Sequence, residues 1–504
     1  MILIALLIPI ATAVLCYALR PRLSAYASLL GSIALVAASA PIISGALTGV
    51  QKLTMFGGAL CMDALSGYMM GLVVLLGLAS AAYSISYLEH ELSAGLTDAI
   101  GVRRYYALFH LFIFTMLLVT VSNNLALMWI AVEATTAISA LLIGLGFYKR
   151  PLAVEAAWKY LILCTVGITF ALLGTFITYY ASASVIGPVS GGPATGTIGS
   201  LNWTELREVA GRLNPATMRL AFIFVLIGYG TKAGLAPVHN WLPDAHSQAP
   251  SPISALLSGI LLNTAFYGVL RFVSIVSPST GSGFTGGLLI IFGLVSIGIS
   301  AAFILVQDNY KRLLAYSSIE HMGIVSLGAG IGGPAGLYGA LLHVLNHALS
   351  KPLMFFASGK IQAGYGSTRI EGVSGVLTSM PLLGALTFIG ALSLAGTPPF
   401  NIFISEFTVL MAGVQKGMWV PVGLFLFFVV IVFYGMLSGF GKMLFNSASG
   451  EPSSALKPHK AGFSEFLSSG TMVLMAALII ALGLRVPAFI DSAIKACVAS
   501  LGVM

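Results

Sequence analysis

The sequence predicts an all-α polytopic membrane protein of about fourteen transmembrane helices, with two inverted five-helix repeats and one broken helix in each. Three observations predict it. Of 504 residues, 58% are hydrophobic and only 8% charged, with a mean hydropathy of +0.98, whereas a soluble domain carries about 25% charged residues. Apolar stretches of ~20 residues, enough to span a bilayer, follow one another with short polar breaks. Two of these stretches are interrupted by prolines close to a charged residue.

Taken in order, spans are expected to begin near residues 1, 24, 66, 105, 124, 156, 216, 250, 283, 312, 335, 380, 420 and 468. They divide the chain into helices 1–3 (residues 1–104), a first repeat of helices 4–8 (105–275), a second of helices 9–13 (283–446), and a polar linker with helix 14 (447–504). The first apolar run lacks the positive leader of a signal peptide, and Arg20 and Arg22 follow it. That pattern reads as a retained first span with its start outside the cytoplasm. The long loop over 183–218 opens with Ser, Gly and Pro, and its second half, NWTELREVAGRL, reads as a short surface helix.

If every segment crosses, one side collects Arg20, Arg22, Arg103, Arg104, Lys149, Arg150, Lys311, Arg312, Lys360, Arg369, Lys442, Lys457 and Lys460. The short loops of the other side hold Lys52, Arg271, Lys416, Arg485 and Lys495, and its one long loop adds Arg207, Arg212 and Arg219. Short-loop basic residues mark the cytoplasmic side, so the first set faces the cytoplasm of a cell inner membrane and both termini face out. The net charge of +8 is thus a matter of topology and calls for no nucleic acid. Cys16, Cys61, Cys164 and Cys497 lie far apart in no metal-ligand spacing, and no glycine fingerprint for a dinucleotide occurs. No cofactor is expected in this chain, and any redox chemistry falls to partner subunits.

The breaks are GYGTKAGLAPVHNWLPDAH (228–246), with Pro237 after Lys232, and SLAGTPPFNIFISEF (393–407), with Pro398 and Pro399 ahead of Glu406. Proline removes a backbone donor, and at membrane depth the freed carbonyls need protein or water. Paired broken helices point to inverted repeats around an ion site.

A charge at mid-bilayer costs at least ~2.5 kcal/mol, so each intramembrane ionisable residue is a functional candidate. Glu133 sits among apolar residues in LALMWIAVEATTAISALLIG. Lys232 lies in the first broken helix and Glu406 follows the second break. His343, His347 and Lys351 recur every four residues and share one helix face. Structural ion pairs are the competing reading, although polar glue in membranes is usually Ser, Thr or Asn. Histidine changes charge near neutral pH, and a buried lysine releases its proton more easily unless a carboxylate stands nearby. Glu133 beside Lys232 would then act as a switch: close together the lysine keeps its proton, and apart it passes the proton inward.

Further relay candidates are less specific. His239, Asp244 and His246 lie in or after the first break, at a helix end suited to an interface role or to proton uptake. Glu320 and His321 are adjacent, about 100° apart on a helix, and suit either an uptake point or local packing. Lys159 either snorkels to the surface or joins the axis. Lys311 and Arg312 look like positive-inside anchors, and Asp63 like a helix cap.

These motifs are similar to those of the antiporter-like subunits shared by respiratory complex I, the Mrp cation/proton antiporters and the membrane-bound [NiFe] hydrogenases. The matching stretches are WIAVEATTAISALLIG within 129–148, TKAGLAPVHNWLPDAHSQAPSPISALLSG (231–259), QDNYKRLLAYSSIEHMG (307–323), HVLNHALSKPLMFFASG (343–359) and the break over 396–407. The wording AYSSIEHMG and PPFNIFISEF most resembles component F of hydrogenase-4, from formate-hydrogenlyase-type complexes. The resemblance implies a fourteen-helix fold in which Glu133 pairs with Lys232, Lys351 bridges the halves and Glu406 gates the far exit. Relatives place a lysine in the eighth span, or a histidine nearer Ser258. Here LLNTAFYGVLR offers only Asn263, so water, Ser258, Asn263 or another helix must bridge Lys232 to Lys351. Some relatives also carry a lateral helix beyond span fourteen; the 38 residues after Phe466 suggest a single span and no such arm.

The function expected from this resemblance is proton translocation in a redox-driven complex, with [NiFe] and Fe–S centres in soluble partner subunits and other membrane subunits alongside. The rivals are a subunit of a Na⁺/H⁺ antiporter, a relative of quinone-reducing complex I, and a non-conducting membrane anchor. The topology is open to test. Single cysteines near residues 1 and 504 should be labelled only from outside the cell and one near Arg312 only from within; cytoplasmic labelling of both chain ends would reverse the assignment.

Overall fold

The computed structural model describes residues 1–49, 53–145, 150–186, 199–446 and 462–502. The expected linker over 447–460, together with Lys52, Lys149, Lys457 and Lys460, lies outside the described residues.

Among the described residues, one small hairpin holds the only paired strands and the other regular elements are helices. Helices α1 (Ile2–Ala18) and α2 (Pro21–Leu47) precede the hairpin β1 (Leu53–Met55) and β2 (Leu60–Met62), which leads into α3 (Ala64–Ser93). Then come α4 (Ala99–Val121), α5 (Leu125–Ala140), α6 (Pro151–Ile186) and the short α7 (Trp203–Glu208), which is the expected surface helix. The first broken segment is α8 (Pro215–Ala233) and α9 (Leu242–Gln248). Helices α10 (Ser251–Leu256) and α11 (Leu262–Thr280) are one rod joined by a π-helical turn over Leu257–Leu261. The second half holds α12 (Ser282–Ile304), α13 (Tyr310–Ile331), α14 (Gly333–Tyr365), the single-turn α15 (Val376–Ser379), and the second broken segment, α16 (Pro381–Leu394) and α17 (Asn401–Gln415). Helices α18 (Trp419–Phe445), α19 (Phe463–Leu484) and α20 (Ala488–Leu501) complete the fold.

A helix begins within about six residues of every expected start. Ten of the described helices are long and apolar enough to cross a membrane, or eleven if the pair bent by 117° over Ile370–Ser379 and Pro381–Leu394 is one span. Neither α13 nor α14 is among them, because each gives up hydropathy to charged residues: Lys311, Arg312 and Glu320 in one, Lys351 and Lys360 in the other. The end of the chain departs from expectation. Instead of a single element, α19 stops at Arg485 and a separate α20 follows, its Cys497 donating to the Ala64 carbonyl at 3.3 Å.

Local chemistry starts the helices where they are. Asp63, Asp98, Asn124, Asn214 and Asn309 each accept a hydrogen bond from a first-turn backbone N–H, which satisfies donors that a helix start leaves open. Lateral packing relies on small residues. A Cβ on Gly286 would lie 2.5 Å from the Gly330 carbonyl oxygen, and one on Gly293 2.7 Å from that of Gly323, so α12 and α13 touch backbone to backbone. Close approach of this kind replaces the hydrophobic drive that a bilayer does not supply. The rod is buried at every position from 251 to 277, and the ionisable residues gather around it.

Two basic residues assigned to loops are in fact inside the protein. Arg271 belongs to α11, is fully buried, and donates to both Asp63 carboxylate oxygens, at 2.7 and 2.5 Å. Its guanidinium also lies 4.0 Å from the Trp203 ring centroid, fastening the long loop to the bundle. Asp63 does cap α3, accepting from Ser66 N at 2.9 Å, but the cap doubles as an ion-pair partner. Lys311 likewise is buried rather than anchored at the surface. Spacing counts could not place them, because helices that extend past the apolar core carry flanking charges into protein contacts.

Removing one member of a buried pair leaves the other charge uncompensated, at a cost of about 3–5 kcal/mol. Arg271→Met should therefore lower the unfolding temperature of the detergent-purified chain markedly. Combining it with Asp63→Asn, which keeps a capping oxygen, should restore most of the loss; an additive loss in the double variant would show the two residues act separately.

Candidate ion-translocation axis

In the first half the axis is built on α5, α6 and α8. Gly234, with φ of +76°, ends α8, leaving Lys232 buried in its last turn. The Lys232 ammonium donates to Thr136 Oγ1 at 2.8 Å and to the Tyr160 hydroxyl, and its Nζ lies 4.5 Å from the Tyr160 ring centroid. Tyr160 in turn bonds Ser139 at 2.6 Å. Glu133, one turn before Thr136 on α5, is only half-buried. It accepts from Thr165 Oγ1 at 2.6 Å, while its Oε2 has no hydrogen-bond partner. Among the described residues no ion pair joins Glu133 to Lys232, so the two share a neighbourhood rather than a contact.

Beyond Lys232 the broken segment turns inward. Trp241 packs against Tyr160 with centroids 4.8 Å apart and rings tilted by 52°, and meets His246 edge-on at 5.9 Å. His246 is fully buried, lies against Phe355 of α14, and neither ring nitrogen has a hydrogen-bond partner. His239 is buried in the break, with Nδ1 likewise unpartnered. Asp244 and Lys159 belong elsewhere. Asp244 pairs with Arg312 at 2.5 Å and with Lys159 at 3.5 Å. Lys159 is half exposed and also pairs with Glu155 at 2.6 Å, so it snorkels to the rim rather than joining the axis.

The eighth-span gap is partly closed by neutral groups. Ser258 bonds Ser318 of α13 at 2.8 Å, and the Asn263 amide lies 3.4 Å from His347 Nδ1. Both connect the rod over 251–280 to the second half. There the stripe expected on α14 is present and fully buried: His343, His347 and Lys351 are each at 0% exposure. Lys351 donates to the Leu314 carbonyl at 2.9 Å and to Ser317 Oγ. His343 lies 3.1 Å from His321 Nδ1 through Nε2 and 3.0 Å from Ser405 Oγ through Nδ1. His321 also approaches His347, with ring centroids 5.4 Å apart.

Glu320 and His321 stand inside this cluster, both buried. His321 Nδ1 lies 3.5 Å from Glu320 Oε2, and groups of Glu320, His321 and Glu406 all fall within 4.8 Å of one another. Two full negative charges about 5 Å apart repel by roughly 3 kcal/mol at an effective dielectric near 20. Glu406 reaches this point because of the second break. Gly396 has φ of +67°, and a Cβ there would lie 2.2 Å from Glu406 Oε2, so only glycine leaves the carboxyl its space. Asn401, the first residue of α17, bonds Ser393 at 2.9 Å and its carbonyl accepts from Asn346 at 2.7 Å, which holds the break against α14.

Sequence reasoning passed over the partners that make these charges bearable: Thr136, Tyr160, Ser317 and Ser405. A signal for two of them exists, since Thr136 lies three residues after Glu133 and Ser405 is next to Glu406. It also passed over a separate buried contact, Ser28 to His110 Nε2 at 2.8 Å, joining α2 to α4.

Comparison with known proteins identifies the family. The sequence profile described as NADH:quinone oxidoreductase/Mrp antiporter, TM, matches residues 122–432. The chain is 40% identical over 342 residues to a hydrogenase-4 component F homolog of Methylacidiphilum infernorum, covering 68% of this chain and 70% of that protein. It is 30% identical over 368 residues to NADH-quinone oxidoreductase subunit N of Desulforudis audaxviator, covering 72% and 68%. In fold it is similar to a chain of the archaeal membrane-bound sulfane sulfur reductase, a respiratory membrane complex, with a TM-score of 0.85 at 23% identity over 100% of this chain and 99% of that one. The profile alone spans more than half of the sequence, and the protein is a multi-pass, antiporter-like membrane subunit of the NADH:quinone oxidoreductase/Mrp antiporter family.

Proposed function

We propose that this chain moves protons across the inner membrane as a subunit of a redox-driven complex of the hydrogenase-4/formate-hydrogenlyase type. One observation carries the reading: three histidines, a lysine and two carboxyls from α13, α14 and α17 lie buried together. The similarity to a hydrogenase-4 component F homolog supports the choice of complex. On this reading about fourteen segments cross the bilayer, residues 105–275 and 283–446 form the inverted repeats, and both termini face outward. The [NiFe] and Fe–S centres reside in partner subunits.

Lys232 and Lys351 are the two proton carriers. Each ammonium is solvated by hydroxyl or carbonyl oxygens instead of a carboxylate, so either can give up its proton without stranding a paired anion. The separation of Glu133 from Lys232 corresponds to the state in which that lysine releases its proton inward. Histidines 246, 347, 321 and 343 then carry the charge between Lys232 and the Glu406 end, with Asn263 and Ser258 supporting the crossing between halves.

The test uses vesicles containing the whole complex, with proton uptake and electron transfer measured together. Lys351→Met removes the titratable group and Lys351→Arg keeps the charge but holds its proton too tightly to relay it. Both should abolish uptake, and Glu133→Gln should uncouple it from electron transfer, while the complex still assembles. Wild-type uptake by the arginine variant would make Lys351 a fixed charge and end the relay through the second half.

A further inference from the structure

Glu320 has no place in the relay as drawn above, yet its surroundings define one. It stands on α13 within 4.8 Å of His321 and Glu406, is buried to 1% exposure, and its Oε2 has no hydrogen-bond partner. The titratable groups on the elements packed against α13 include His343, His347 and Lys351 on α14, Glu406 on α17, His246 and the Arg312-paired Asp244 on α9, and Lys442 and Tyr434 on α18, with His321 on α13 itself; α12 carries none. Lys351 supplies the one buried positive charge among them while it holds its proton, and its donors go to Leu314 and Ser317. Among the described residues no ion pair reaches Glu406.

With both carboxyls ionised and the histidines neutral, this pocket would hold two negative charges against one positive. A buried imbalance of that kind is costly, and two like acids in one site avoid it by keeping a proton between them. We infer that Glu320 and Glu406 share a single proton, which makes Glu320 a proton-holding residue of the second half and not a packing neighbour of His321. The proton satisfies the open Oε2 of Glu320 when it resides on Glu406, and His321 is placed to exchange it with the α14 stripe. The inference rests on the proposed axis only for what the proton is used for; the sharing itself follows from burial, proximity and charge count.

Dicyclohexylcarbodiimide tests it, since the reagent enters apolar protein and adds to protonated carboxyls only. The purified complex is treated near neutral pH, intact-chain mass spectrometry counts the adducts per chain, and peptide mass spectrometry locates them on Glu320 or Glu406. A shared proton gives an adduct on one carboxyl or the other in a given chain, never on both, and the same yield with or without Na⁺. In Glu320→Gln, whose amide can donate to an ionised Glu406, labelling of Glu406 should be lost; the unsubstituted complex decides the matter alone if that variant does not assemble. Adducts on both carboxyls of one chain, on neither, or protection by Na⁺ at constant pH would each overturn the inference, the last in favour of a metal-cation site. The proposed axis is judged separately: a Lys351→Arg complex that pumps normally would sink the axis and leave this labelling pattern intact.

Discussion

Hydrocarbon offers a polar group nothing to bond with, and the rest of this structure follows from that. Every charge in the bundle has to be solvated by the protein itself. The chain does this mainly with hydroxyls and carbonyls: Thr136 and Tyr160 around Lys232, and Ser317 with the Leu314 carbonyl around Lys351. Neutral dipoles of this kind support a cation without neutralising it. Asp63 and Arg271 show the contrast, because there the charges meet directly, at 2.5 Å. A direct pair is a fastening, whereas a hydroxyl cradle leaves the proton free to move.

The breaks in α8–α9 and α16–α17 serve the same constraint. A continuous helix satisfies its own backbone and presents side chains only sideways. Ending α8 at Gly234 and resuming at Leu242 turns His239 and His246 into the bundle. Ending α16 at Leu394 opens the space that Gly396 keeps clear for Glu406. Both breaks therefore bring titratable side chains, His239 and His246 in one and Glu406 in the other, into the buried interior.

Much of this was legible in the sequence, for reasons that also set its limits. Apolar length gave the helices, proline gave the two breaks, and a four-residue period gave the stripe of His343, His347 and Lys351. All three are properties of one helix read along itself. Contacts between helices depend on crossing geometry, which here is set by glycines such as Gly293 and Gly323 and leaves no periodic trace. For that reason the sequence places Arg271 in a loop and Lys311 at the surface, while both are buried. The approach of Glu320 to Glu406 was hidden in the same way, since 86 residues separate them.

The hydrogen-bond file across α13, α14 and α17 also links the protonation of its members. A neutral imidazole donates through one nitrogen and accepts through the other. If His343 donates from Nε2 to His321 Nδ1, its own Nδ1 must accept from the Ser405 hydroxyl. If His321 donates instead, His343 Nδ1 must donate to Ser405 Oγ, whose hydroxyl is free to donate to the Ile402 carbonyl at 2.8 Å. Both orders satisfy the same distances, so the two rings and the hydroxyl reverse together. Glu320 Oε2, 3.5 Å from His321 Nδ1, favours a proton on that nitrogen when the carboxyl is ionised and stops favouring it when the carboxyl is neutral. The charge at Glu320 is thereby coupled to the direction in which the file points at Ser405, the residue beside Glu406.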